Sequence, residues 1–281
     1  DWSSDVCSSD LPAVGAMAYR SVTPRSVYYA TIPANTVRRF KVAGTTGIPS
    51  TATAAVVSLA AAAPSGSTLR LVPTGTSPFG PAMATVIDGR VATTVFVPLA
   101  SDGSLGVVAS AAARVQAVVV GDFTRAPVAV SAGRFVPAAG ATVLDTDVSA
   151  GLSTVQVAGT AGLPASGLGS VVVQATTSGS SARGGVQVGL PTMPVGGWTS
   201  LTVPSGRAAT VLTVSAIDGA GRIAVRVSTA MHIRIVVRGW FTTQAAASSM
   251  AGLFVPIATS RVFDSRRNGA PATGSNSVST R

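Results

Sequence analysis

Hydrophobic and polar residues alternate along much of the chain at the two-residue spacing of strands that bury one face. The clearest stretch is GRIAVRVSTAMHIRIVVRGWF (221–241), where Ile or Val occupies every second position on both sides of a short break. This pattern predicts a β-hairpin with one buried and one solvated face. Asp-Gly pairs at 88–89, 102–103 and 218–219 predict tight turns between other strands, because glycine tolerates the positive φ that such turns require.

Several segments of the chain return in the same order about 115 residues later. The matched pairs are KVAGTTGIP (41–49) with QVAGTAGLP (156–164), ATTVFVPLASDG (92–103) with AATVLTVSAIDG (208–219), and AVVVGDF (117–123) with IVVRGWF (235–241). Near the end, LFVPIATSRVFDSRR (253–267) matches RFVPAAGATVLDTDV (134–148). These matches indicate two copies of one unit and the start of a third.

The repeats predict how the chain is divided into domains. The predicted parts are unit 1 at 12–123, a linker at 124–133, unit 2 at 134–241, a linker at 242–252, and a truncated start of unit 3 at 253–281. Roughly seven to nine short strands fit into each unit. The predicted fold is therefore all-β, with tandem antiparallel β-sandwich domains of jelly-roll-like form; a barrel is the alternative.

The first eleven residues, DWSSDVCSSDL, differ in composition from the rest of the chain and match no later copy. They contain Cys7, the only cysteine, and read back as codons they resemble a short-read sequencing adapter. Residues 1–11 are therefore predicted to be an artefact that takes no part in the fold. The alternatives are a solvated tail and a calcium-binding loop, but such a loop needs a glycine and a final bidentate acid that this stretch lacks.

The net charge of +10 raises the question of an anionic partner. Of the 20 basic residues all but Lys41 are arginine, and the chain is rich in Ala, Gly and Pro, as GC-rich codons dictate. Codon bias with a solvated surface is the first explanation, and a polyanionic partner is the alternative.

The residue types needed for most catalytic sites are scarce. The chain has one histidine, His232, one cysteine and no glutamate, so no zinc site of three or four ligands can be built. A Ser-His-Asp triad would need His232 as its base, but no acid is near it in sequence to orient the ring. Cations nearby should lower its pKa. Asp145 and Asp147 could share a face, but a turn with solvated charges is the preferred interpretation. We therefore predict no enzyme activity, no catalytic or metal-binding residue and no cofactor.

One basic surface remains as a candidate binding site. If 221–241 forms a hairpin, its polar positions would gather on one face, where no acid intervenes. The predicted polyanion-binding residues are Arg222, Arg226, His232, Arg234 and Arg238. Exposed like charges repel one another weakly, so the preferred interpretation is a purely solvated face, and a patch for phosphate-bearing wall polymers is the alternative.

The repeated motifs resemble a tandem module of secreted actinobacterial cell-wall and surface proteins. The resemblance rests on the Phe-Val-Pro opening at 135 and 254, the Val-x-Gly-x-x-Gly middle, an Asp-Thr-Arg-like signature, and a Gly-Tyr-Phe-type close at 121–123 and 239–241. The signature departs from the pattern, since it reads DTD at 145–147, DSR at 264–266 and YAT at 29–31. An acid-arginine pair that can vanish from one copy indicates a structural turn rather than a catalytic site.

The resemblance implies an extracellular, cell-wall-associated location and two functions to weigh. The first is a non-catalytic structural or spacer module; the second is an accessory module that binds a glycan or an anionic wall polymer for a larger cell-wall enzyme. Trp198 and Trp240 are the candidates for sugar stacking. The longest apolar run, 51–64, is too short to span a membrane. We expect no nucleic-acid partner, no membrane span, and further domains beyond these residues.

Overall fold

The computed structural model describes residues 15–72 and 83–256, and every regular element in those ranges is a strand. None of these elements is an apolar helix long enough to cross a membrane. The all-β prediction is confirmed. Residues 1–11 and most of the predicted unit 3 lie outside the described residues, so the predictions made for them stay predictions.

Sixteen strands follow one another along the described chain, eight in each unit. In unit 1 the strands are β1 (Met17–Ile32), β2 (Arg38–Lys41), β3 (Ala52–Ala62), β4 (Thr68–Val72), β5 (Ala84–Thr85), β6 (Arg90–Pro98), β7 (Ser104–Ala109) and β8 (Ala113–Arg125). In unit 2 they are β9 (Phe135–Val148), β10 (Gly151–Gln156), β11 (Leu168–Ser178), β12 (Gly184–Gly189), β13 (Leu201–Val203), β14 (Ala209–Ala216), β15 (Arg222–Val227) and β16 (Met231–Thr242).

The two units have the same sheet topology. Unit 1 has an A sheet in the order β1-β8-β3-β6 and a B sheet in the order β2-β7-β4-β5. Unit 2 repeats both, with an A sheet β9-β16-β11-β14 and a B sheet β10-β15-β12-β13. All pairings are antiparallel, and the first strand of each unit pairs with its last, the second with its seventh, the third with its sixth and the fourth with its fifth. This nested pairing is the jelly-roll arrangement.

Alternating apolar residues form the core between the two sheets of each unit. In unit 2, Ile223 and Val225 of β15 face Ile233 and Ile235 of β16, and all four are buried. Unit 1 buries Val57, Leu59, Leu105 and Val107 in the same way. The alanine and valine side chains that dominate the apolar composition therefore fill much of two separate sandwich cores.

Two of the three predicted Asp-Gly turns have the expected conformation. Asp88 and Gly89 both have positive φ, at 51° and 78°, and join β5 to β6 in a two-residue turn. Gly103 follows with a φ of 75°. In the third turn the prediction was wrong in detail, because the positive φ, 77°, falls on Gly221 and not on Gly219.

The predicted hairpin over 221–241 is also wrong. β15 pairs with β10 and β12 in the B sheet, whereas β16 pairs with β11 and β9 in the A sheet. The connection between them crosses from one sheet to the other, so the two apolar faces meet across the core instead of side by side. The alternation was read correctly within each strand, but it carries no information about which strand lies beside which.

Strand registers define which positions of the two units correspond. A register shift follows Val56 in β3 and Val172 in β11, so Ser58 and Gln174, two positions later, correspond. Ser58 lies opposite Thr94, and Gln174 lies opposite Leu212. Thr94 is therefore the counterpart of Leu212. The sequence match of 92–103 with 208–219 had paired Thr94 with Thr210 instead, two residues earlier. The insertion that separates the two copies precedes β14.

The two units pack directly on each other through a third apolar cluster. The outer face of the unit 1 A sheet, with Val56 and Val118, is buried against unit 2 residues that include Val214 and Trp198. In the described residues, hydrogen bonds between the two units include Ser58 Oγ to Thr199 O at 3.1 Å, Ala92 N to Thr202 Oγ1 at 3.1 Å, Thr94 Oγ1 to Thr213 Oγ1 at 2.9 Å, Gln116 Nε2 to Gly197 O at 3.2 Å, and Arg183 Nη1 to Asp88 O at 2.7 Å. The pair is held by buried contacts and not only by the connecting segment.

Candidate functional site

The structure divides the five predicted polyanion-binding residues between two sheets. His232, Arg234 and Arg238 lie on β16, on the outer face of the unit 2 A sheet. Arg222 and Arg226 lie on β15, in the B sheet. Because the two sheets enclose the core between them, the five side chains do not form one patch.

His232 is held between two carboxylates on the neighbouring strand. β9 pairs with β16 so that Asp147 lies opposite His232 and Asp145 lies opposite Arg234. The Nε2 atom of His232 is 2.9 Å from Asp145 Oδ1, and its Nδ1 atom is 3.0 Å from Asp147 Oδ1. Arg234 Nε lies 3.5 Å from Asp145 Oδ2. The expectation that no acid intervenes among these cations is therefore wrong, because strand pairing supplies acids distant in sequence.

These contacts determine the protonation of His232. The hydrogen bond that His232 donates to Asp145, followed by the one that it donates to Asp147, raises the pKa of His232 above its usual value near 6.5. The expected lowering by nearby cations is thus reversed. A protonated imidazole donates to both carboxylates, which leaves neither ring nitrogen to accept a proton from a hydroxyl group. The arrangement joins β9 to β16 through side chains on the outer face of the sheet.

Replacing His232 by Gln should flatten the dependence of stability on pH above neutrality. Since the pKa of His232 is raised on folding, its stabilising contribution is present below pH 6.5 and is lost as the pH rises through the raised value. Between about pH 6 and about pH 8, the melting temperature of the unmodified chain should therefore fall more than that of the variant. The carboxyls of Asp102 and Asp218 have lowered pKa values, so they titrate outside this window.

Asp145→Asn with Asp147→Asn provides the matched test of the cause. Without the two carboxylates the pKa of His232 should return toward its usual value, and the slope should flatten as it does in the His232 variant. Identical slopes for all three proteins would contradict the assignment of the raised pKa to these contacts.

The other cations of the predicted patch are separated from one another. Arg238 donates to Gln174 Oε1 from Nε at 2.9 Å and from a terminal nitrogen at 2.7 Å. Arg222 pairs with Asp218 at 2.9 Å. Among the described residues, Arg226 Nε is buried without a hydrogen-bond partner. Arg234 and Arg238 are thus the two predicted arginines that share an exposed sheet face.

The Asp-Thr-Arg-like signature lies within a strand, not in the expected turn. Asp145 and Asp147 belong to β9 and pair with His232 across the sheet. In unit 1 the corresponding positions place Tyr29 beside Arg114, whose guanidinium lies 4.6 Å from the centre of the ring. A cation–π contact there replaces the ion pair of unit 2. Both copies use the position to join the first strand of the unit to its last.

An ion pair between a buried carboxylate and a half-exposed arginine of unit 1 was missed from the sequence. Asp122 is fully buried on β8, and Arg20 on β1 binds it at 2.6 Å and 3.3 Å. Burial raises the pKa of Asp122, and the hydrogen bond from Arg20 opposes that rise. The available signal was a single acid inside the apolar run AVVVGDF, since a buried charge requires a partner. Nothing local identified Arg20 as that partner.

The tryptophans proposed for sugar stacking do not form an open platform. Trp198 is buried in the interface between the units, where it packs over Gly189. Trp240 is half-buried against the unit 2 core. No group of three or more His, Cys, Asp or Glu side chains suited to a metal ion occurs in residues 15–72 and 83–256. No protein-family model, curated protein or solved structure matches the chain.

Proposed function

We propose that this chain is a non-catalytic structural module of a secreted or cell-surface protein, in which tandem β-sandwiches act as a rigid spacer. The observation that supports the proposal is the apolar interface between units 1 and 2. Domains joined by flexible linkers have few contacts crossing between them. Here Phe123 and Val56 of unit 1 are buried together with Val172 and Phe241 of unit 2. A rigid spacer must hold the domains at its two ends at a fixed separation. An apolar core shared by the two units provides the required stiffness.

The disposition of charge supports the same function. Four of the six aspartates in the described residues are paired with a basic side chain of the same unit, as in Arg20–Asp122, Arg222–Asp218 and His232–Asp145. Charges used in this way stabilise strand pairs and contribute little to attracting a ligand. The secreted, cell-wall location in the proposal rests on the motif resemblance alone.

The second candidate function is binding of an anionic wall polymer. It is favoured by Arg234 and Arg238, which lie on one exposed face of the unit 2 A sheet. Their counterparts in unit 1 are Gln116 and Val120, so unit 1 has no charge at these two positions. A polymer bearing phosphate groups could bind such a pair through the guanidinium groups.

Co-sedimentation with purified cell walls distinguishes the two functions. If the chain is a spacer, we expect no saturable retention at low or at physiological salt. Retention that saturates and falls with salt would instead support polymer binding, provided that Arg234→Ser with Arg238→Ser abolishes it. Arg38→Ser with Arg39→Ser is the matched control, because it removes the same charge from exposed positions on β2.

A further inference from the structure

The opening segments of the three units are joined in a closed cycle of backbone hydrogen bonds. The backbone N–H of each opening aromatic residue donates to a carbonyl that lies two residues before the opening aromatic of the next unit. The N–H of the third opening aromatic donates in the same way to the carbonyl two residues before the first. The bonds are Tyr19 N to Gly133 O at 2.9 Å, Phe135 N to Gly252 O at 2.7 Å, and Phe254 N to Met17 O at 2.9 Å. Met17 also donates to Phe254 O at 2.9 Å. A linear string of units has no contact from the third opening back to the first.

The aromatic rings follow the same cyclic order. Within a unit the opening ring meets the closing ring at similar distances, 5.4 Å for Tyr19–Phe123 and 5.5 Å for Phe135–Phe241. Between units, Tyr19 stacks on the closing Phe241 of unit 2 at 3.9 Å. Phe254, which opens unit 3, lies 4.5 Å from the closing Phe123 of unit 1. Unit 1 thus meets unit 2 as unit 3 meets unit 1, which is the relation of three bodies about a threefold axis.

The described residues supply three opening aromatics but two closing ones. Where the third closing ring would fit there is an apolar groove of about 350 Å³. Its lining includes Phe96, Phe123, Phe135, Leu212, Phe241 and Phe254. An apolar concave surface of this kind next to an established interface marks a binding site for another body.

The outer face of the unit 2 A sheet is the second part of the same surface. In unit 1 this face is covered, since Thr94 and Gln116 hydrogen-bond to unit 2. Their counterparts are Leu212, which is 45% exposed, and Arg234. Arg234 keeps an N–H donor at the position from which Gln116 binds the Gly197 carbonyl. The unit 2 face therefore has an exposed apolar side chain and an N–H donor at the two positions through which the unit 1 face binds unit 2.

We propose that this groove and the outer face of the unit 2 A sheet are the docking surface for a third β-sandwich of the same repeat, which opens at Phe254 and closes a ring of three units. The occupant follows from the seated opening segment and from continuity with the interface between units 1 and 2. The ring goes beyond the spacer function and does not depend on it.

Thiol labelling tests the ring in a three-unit chain. Residues 257–281 are replaced by a copy of 138–242, because unit 2 carries the edge that already covers unit 1. Cys7→Ser removes the only other thiol, and Leu212→Cys places a thiol on the proposed docking face. We expect the third unit to slow maleimide labelling at position 212 by about tenfold or more relative to the chain as it stands.

Leu152→Cys is the matched control for this measurement. Leu152 has a similar exposure, 41%, but lies on β10 in the B sheet. Its labelling rate should be the same with and without the third unit. Equal labelling at position 212 in both chains would overturn the proposal. Protection at 212 that appears in the chain as it stands, and only as its concentration rises, would also overturn it, because a second copy would then be the occupant.

A second measurement uses the chain as it stands and needs no added unit. Met17 and Phe254 are paired directly in antiparallel register, at a separation that a disulfide can span. In the Cys7→Ser background, Met17→Cys with Phe254→Cys should give an intramolecular disulfide on mild oxidation. Chains that remain reduced, or that link only between molecules, would show that the third opening does not return to unit 1.

Discussion

Replacing Phe123 by Ala should lower the free energy of unfolding by about 3–5 kcal/mol. Phe123 is 1% exposed and closes unit 1. Its ring touches Tyr19 of the same unit, Phe241 of unit 2 and Phe254 of the third opening. Removing it leaves a cavity where all three segments meet, and each neighbour is held by backbone hydrogen bonds that limit collapse into the space.

Tyr29→Ala is the control for this prediction. Tyr29 is 58% exposed and contacts Arg114, so its removal should cost about 1 kcal/mol or less. Denaturant titration with an unchanged m-value measures both losses. Comparable losses at the two positions would show that the aromatic cluster does not anchor the units.

The strands and their buried faces could be predicted because the signals are local. The alternation in β15 and β16 marks Ile223 and Ile233 as buried, and both are. Asp88-Gly89 forms the expected two-residue turn because the turn depends on the φ angles of these adjacent residues, not on distant contacts. The repetition of these signals along the chain was enough to predict two copies of a sandwich with the right number of strands.

The neighbours of each strand could not be predicted, because they depend on pairing across distant sequence. A jelly roll sends its seventh and eighth strands to different sheets, so Arg226 and Arg234 are parted although they are close in sequence. The same pairing brings Asp145 and Asp147 to His232 from a strand far back in the chain. Both the presumed arginine cluster and the supposed lack of acids came from treating neighbours in sequence as neighbours in space.

The repeated opening and closing motifs were recognised without a physical reason for them. The structure provides one, since the opening aromatic of each unit packs over the closing glycine of the same unit: Tyr19 over Gly121 and Phe135 over Gly239. The two motifs are the ends of one contact between the first and last strands. Their spacing along the sequence reflects the length of the sandwich between them.

The arginine face of unit 2 cannot serve a wall polymer and a third unit at once. Arg234 and Arg238 lie on the face whose counterpart in unit 1 is buried by a neighbouring unit. If the ring closes, these side chains turn inward to the interface and any salt-sensitive retention on cell walls should weaken. If they bind polymer, the third unit adds a second copy of the arginine face, and retention should stay the same or rise. The three-unit chain therefore separates the two hypotheses.

Replacing Gly239 by Ala should destabilise unit 2 by about 1–3 kcal/mol, the cost of forcing an extra group into a packed core. A Cβ at this position would overlap the Phe135 ring and would come within 2.6 Å of the Val136 carbonyl oxygen. The ring cannot move aside freely, because it is also packed against Phe241. Gly219→Ala is the control, since a Cβ there meets nothing within 4 Å and the backbone has no positive φ. That change should be neutral or slightly stabilising, because it reduces the freedom of the unfolded chain. Chemical denaturation measures both, and equal midpoints for the two variants would contradict the packing of opening aromatic on closing glycine.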